Sequence, residues 1–175
     1  MKYINKPDIL PKYRPLHLER SDRYNLDYSP STKNLQESLE RLIDMGLVDD
    51  KEINGAIFTW ARCSDPHVYA RCCQTFKIIY MNPDLDSEII PDRCFDKVLY
   101  HECLHLRQTI MRIPGCHDDL FKKWECVYPD FYETRRELRR KWKMLHDTPQ
   151  INTESVRVNW KNTLDYWLEE RLRED

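Results

Sequence analysis

Leu35, Leu39, Leu42 and Ile43 recur at three- and four-residue intervals in SPSTKNLQESLERLIDMG, and that spacing predicts an amphipathic helix. Ser29 is placed to cap it, Pro30 to occupy its first turn and Gly46 to close it, with the apolar stripe turned towards a sheet. The pattern changes at Gly55. AIFTWARC, HVYARCC and FKIIYMN are short, rich in aromatic and β-branched residues, and separated by polar breaks. They predict two or three short strands in a small antiparallel or mixed sheet. NPDLDSEIIPD, punctuated by Pro83 and Pro91, reads as a loop. Beyond it Phe95, Val98, Leu99, Cys103, Leu106 and Ile110 restore a helical period, which should stop before Pro114 and Gly115.

A second helix is predicted from Asp118 to about Val127, with Leu120, Phe121 and Trp124 inside, and a basic helix follows Pro129. Val156, Trp160, Leu164, Trp167 and Leu168 mark a last amphipathic helix behind the linker HDTPQINTE. Residues 1–28 carry Pro7, Pro11 and Pro15 without a sustained period, as an extended arm would. The expected organisation is an arm over 1–28, an α+β domain over 29–146 with a short sheet packed on helices, and a linker and helix over 147–175.

Composition narrows the function classes. The chain has 175 residues, enough for one domain with appended helices. Lys and Arg number 28 against 30 Asp and Glu, so no global field draws in nucleic acid or acidic membranes. No stretch of eighteen apolar residues predicts a membrane span, and MKYINKPDILPKYRP lacks the apolar core of a secretory signal. The seven cysteines therefore read as reduced thiols of a cytoplasmic protein. Cys63, Cys72 and Cys73 form no CxxC pair and read as small buried thiols rather than metal ligands. Three glycines exclude the clustered-glycine loops that bind nucleotide phosphates.

The candidate chemistry lies in VLYHECLHLRQ. Four helical residues advance about 400°, so His101 and His105 lie within about 40° of each other, one turn apart, and both imidazoles reach one ion. Glu102, about 100° round the helix from His101, is placed to hold a water without ligating the metal. A catalytic zinc needs a third protein ligand and an open position. His117 is favoured, because it follows the Pro-Gly break and heads the next helix. Glu125 and Glu133 stand as alternatives. His117 lies twelve residues after His105, which is too far for HExxHxxGxxH. His17, His67 and His146 are isolated and read as surface residues.

Asn82-Pro83, His101 to His105, His117 with Phe121, and Tyr128-Pro129-Asp130-Phe131 occur in that order. In these features the chain resembles the YgjP-like zinc metallopeptidases, relatives of the SprT-like and WLM proteases. The resemblance spans residues 55–140, about half the chain; the arm and the first and last helices lie outside it. It implies a small zincin-like domain, one zinc on His101, His105 and His117, and Glu102 as general base.

The expected function is a zinc metallopeptidase acting on a peptide or protein substrate. Tyr128 or Tyr132 could supply a phenol to the transition state, and Arg107 a cation. Two rivals remain: a zinc-scaffold binding module acting on DNA-associated or other protein partners, and a latent peptidase covered by its own terminal segment. The basic RRELRRKWK could touch phosphate, although Arg135, Arg136, Arg139 and Arg140 alternate with Glu133 and Glu137 as on a solvated helix face.

Overall fold

The computed structural model describes residues 30–61, 67–113 and 117–147. The arm expected over 1–28 and the amphipathic helix expected near the C-terminus lie outside the described residues. Helix α1 spans Leu35–Asp44 and starts later than Ser29 and Pro30 predict. Asn34 is its cap, accepting from the backbone N–H groups of Gln36 and Glu37. Residues ahead of it are engaged elsewhere. The N–H groups of Ser31, Thr32 and Lys33 and the hydroxyls of Ser31 and Thr32 all donate to the Asp86 carboxylate, at 2.6–3.3 Å.

Gly46 closes α1 as expected. Its φ of 69° lets Leu47 N–H reach Leu42 O at 3.0 Å and Gly46 N–H reach Ile43 O at 2.8 Å, the paired bonds of a Schellman turn. A short helix α2 (Asp50–Ile53) follows, held by a capping box between Asp49 and Glu52.

All three of the segments named above form strands, in one mixed sheet. β1 (Ile57–Trp60), β2 (Ala70–Cys73) and β3 (Ile78–Met81) lie in the order β1-β3-β2. β1 runs parallel to β3, with Ile57 opposite Ile78, and β2 runs antiparallel to β3, with Ala70 opposite Met81. The two-residue period sends Phe58, Trp60, Ala70, Ile79 and Met81 into the main core, and Ile57, Ile78 and Tyr80 to the other face. Asn82 fastens the end of β3. Its side chain accepts from Asp84 N–H in the 3-10 turn Pro83–Leu85 and donates to Val68 O at 3.0 Å, so the turn holds the approach to β2.

Helix α3 (Asp92–Met111) is the spine of the fold, with α1, α2, β2, α4 (Asp119–Glu125) and α5 (Phe131–Asp147) packed around it. Phe95 stacks on Trp60 with ring centroids 5.6 Å apart. Full burial of one such ring contributes about 1.5–3 kcal/mol. Being enclosed, α3 buries Asp96, Lys97, Glu102 and Gln108 as well as its apolar stripe. These polar positions explain a correction. α1 packs on α3 rather than chiefly on the sheet, because its Ser38 and Arg41 face the buried Asp96 and hydrogen-bond to it. Two further expectations fail at the periphery: Ile110 is 47% exposed and Leu120 40% exposed, where no element among the described residues covers the end of α3 or the outer side of α4. Phe131, Thr134, Leu138 and Trp142 form the inner face of α5, and Tyr69 meets Trp142 edge-on at 4.7 Å. Among the described residues no helix is long and apolar enough to cross a membrane.

Candidate metal centre

His101 and His105 lie one turn apart on α3, and His117 immediately precedes Asp118, whose side chain caps α4 by accepting from Phe121 N–H at 2.8 Å. The cap fixes the start of α4, and with it the position from which His117 turns back. His117 Nε2 stands 3.1 Å from His101 Nε2 and 3.2 Å from His105 Nε2. Tetrahedral ligands at metal–nitrogen distances of about 2.0–2.1 Å would be about 3.3 Å apart, so the spacing fits a shared ion. One proton can bridge two of these nitrogens. It cannot serve three that converge. Among the described residues, His101, His105 and His117 are the group that could hold a metal ion.

The surrounding atoms set the tautomers. Glu125 Oε1 lies 3.0 Å from His101 Nδ1, and Gln108 Oε1 lies 2.9 Å from His105 Nδ1. A carboxylate only accepts, so His101 carries its proton on Nδ1 and leaves Nε2 as a lone-pair donor; an accepting Gln108 oxygen does the same for His105. Lys97 donates to the same Glu125 oxygen at 2.9 Å. Burial works to raise the Glu125 carboxyl, but the hydrogen bonds from His101 and Lys97 override it and hold the group at about 2. Burial depresses His105 to about 4 and lowers His117, with the neighbouring imidazoles acting the same way. Both are therefore neutral near pH 7, as metal ligation requires. The fully buried Phe121 ring floors the cluster, 5.0, 4.8 and 4.7 Å from the rings of His101, His105 and His117.

Glu102 is 5% exposed and lines a cleft of about 290 Å³ together with His101 and residues of β2 and α5. Burial pushes its carboxyl up to about 7, against the opposing charges of His101, Arg71 and Lys97.

The rival ligands are not drawn into the cluster. Glu125 holds the far side of His101 because it projects from the end of α4, and Glu133 is exposed on α5. Burial, then the charge of Glu102, drives the Cys72 thiol up, and burial raises Cys73; neither resembles a ready thiolate ligand, and Cys63 lies outside the described residues. Tyr128 is buried, and its hydroxyl donates to Arg93 O at 2.7 Å. Arg93 is eight residues before His101, about 12 Å along the helix, so the hydroxyl is engaged away from the imidazoles while the ring packs 5.8 Å from that of Tyr100. Tyr132 is 70% exposed, edge-on to Phe131. Arg107 binds Glu52 and Leu47 O, tying α3 to the α2 region.

Lys97 and Gln108 escaped the sequence reading, and Glu125 entered it only as an alternative ligand. Lys97 precedes His101 by four residues and Gln108 follows His105 by three, the spacings at which helical side chains meet. Glu125 has no such local signal. Compared with family models, curated proteins and solved structures, the chain finds no match.

Proposed function

We propose that the chain is a zinc metallopeptidase in which Glu102 acts as general base. The observation that carries this reading is the convergence of three imidazole Nε2 atoms, with Glu102, the buried carboxylate next to His101 in the chain, lining a cleft together with His101. Three neutral nitrogen ligands suit zinc with a fourth position left for chemistry. When bound, zinc supplies a Lewis acid for the scissile carbonyl and brings the pKa of water towards about 7. Glu102 receives the proton of the attacking water and hands it to the amide nitrogen as the C–N bond breaks, so the carboxylate is regenerated each cycle. Burial raises its carboxyl, which favours return of the proton to the leaving nitrogen. Glu125, Lys97 and Gln108 keep the imidazoles in the required tautomer and orientation.

Substrate placement follows from the sheet. β2 is an edge strand, and Val68, Tyr69 and Ala70 line the cleft with Glu102. Tyr69 O accepts from Asn82 N–H on the β3 side, so alternation turns the backbone groups of Ala70 away from β3. An extended peptide laid beside Ala70 would add a strand and carry its carbonyl past Glu102.

Glu102→Gln is the test. The amide can hold water but cannot take its proton, so turnover of an unfolded protein such as casein should fall by about 10²–10⁴ while zinc stoichiometry stays at one per chain. Equal turnover in the two proteins removes Glu102 from the mechanism.

A further inference from the structure

Two arginines of α5 have no part in the chemistry above. Arg135 and Arg139 are four residues apart, so they share one face of the helix, and both line the cleft with Leu138 between them. The alternation of charges along α5 suggests a self-neutralised surface, but Glu137, one of its two acids, is used elsewhere. Glu137 pairs with Arg93 at 2.6 Å and lies 3.9 Å from Arg140, on another side of the helix. Among the described residues neither Arg135 nor Arg139 takes part in an ion pair; Arg135 rests over the Phe131 ring at 5.9 Å. The third cation of the cleft, Lys97, is held by Glu125 at 2.9 Å. The cleft therefore has a catalytic carboxylate on its α3 side and two uncommitted guanidinium groups on its α5 side. Their charge crosses the gap: burial raises the phenol of Tyr69 on the β2 wall, and Arg139 and Arg135 both act against that rise.

We propose that Arg135 and Arg139 form an anion-accepting subsite that selects peptides carrying an Asp or Glu side chain beside the scissile bond. The assignment rests on the peptidase reading and names its substrate class. At about 290 Å³ the cleft is at the lower end of ligand pockets, matching a side chain and a short length of backbone rather than a large ligand. Val68, Ala70 and Leu138 offer apolar contact to the methylenes of such a side chain, and the guanidinium forks take its carboxylate.

The test uses the full chain, zinc-loaded and carrying Glu102→Gln so that binding is read without turnover. Fluorescein-labelled peptides identical except for one Glu or Gln are scanned across positions by anisotropy. The Glu peptide should bind about tenfold tighter at its best position, the scale of one charge-assisted hydrogen bond at a part-exposed site, and the gap should narrow as salt rises. Arg135→Gln with Arg139→Gln should abolish the difference. Arg136→Gln with Arg140→Gln, an equal change in net charge on the outer face, should keep it. Equal binding of the two peptides to the parent chain, or a preference that survives the Arg135 and Arg139 changes, overturns the subsite. So does loss of the preference in the outer-face variant, which would reduce it to net charge. A single-stranded oligonucleotide that displaces the Glu peptide at equal salt would assign the arginines to phosphate instead, also overturning it. A Glu preference dependent on Arg135 and Arg139, with no hydrolysis by the protein lacking the Glu102 change, keeps the subsite and removes the peptidase.

Discussion

Thr134 sits on the inner face of α5 at 1% exposure, and its hydroxyl oxygen has no hydrogen-bond partner among the described residues. A buried hydroxyl of this kind loses its water without recompense, whereas a methyl of the same shape does not. Thr134→Val should therefore stabilise the protein by about 1 kcal/mol, read as a higher urea midpoint at constant slope. A lower midpoint would mean that the hydroxyl is satisfied in solution. Nothing in FYETRRELRR marks this position as buried, because a threonine fits a solvated face equally well. The imidazole pair was legible for the opposite reason. His101 and His105 are related by helix geometry alone, which needs no tertiary information. His117 was within reach because the sequence places it just beyond the Pro-Gly pair that follows the same helix, whereas Glu125 could be read there only as an alternative ligand. Its role depends on the angle at which α4 crosses α3, and no local pattern encodes that angle.

Among the elements, α3 ends in an unusual way. Arg112 adopts φ 54°, with Ile113 N–H bonded to Gln108 O at 2.9 Å and Arg112 N–H to Thr109 O at 3.2 Å. This is the turn that closes α1, with arginine where α1 has glycine. A side chain in the left-handed region costs about 1–2 kcal/mol, partly offset by the smaller entropy that a non-glycine residue loses on folding. Arg112→Gly should thus raise stability by about 0.5–1 kcal/mol and leave metal stoichiometry unchanged; a lower melting temperature would show that the Arg112 side chain makes compensating contacts. Helix ends were read from proline and glycine, which worked at Gly46 and placed the end of α3 within a few residues. They failed at the start of α1, where a distant carboxylate, Asp86, gathers the backbone that Ser29 and Pro30 were expected to lead into the helix. The strands were legible as segments; their order was not, since pairing β1 with β3 is a choice made across the intervening chain.

Across the whole molecule, the three imidazoles join α3 to the head of α4, so an ion held among them links two parts of the core. The unfolded chain has no such arrangement. A ligand that binds only the folded form at about 1,000 times its Kd adds about 4.1 kcal/mol, which corresponds to a rise of about 8–16 °C in a chain of this size. Melting with zinc and then with excess chelator should show that difference, and His117→Ala should lose most of it. Identical melting under both conditions would remove the metal from the account. The α+β class was readable at this scale from the order of periods. The enclosure of α3 was not, because an apolar stripe cannot reveal that a helix is also covered along its polar sides, where Asp96, Lys97 and Glu102 are buried.

Two of the three imidazoles ride on one rigid rod, and the third comes from a separate element. An ion entering there would be met in two stages: the α3 pair would offer a perch that exists before the ion arrives, and His117 would close over it as a latch, with departure in reverse. Its residence time would then follow how often one exposed imidazole lets go, while Glu125 and Gln108 keep the perch aimed for recapture. A protein built this way could exchange a metal without opening its core.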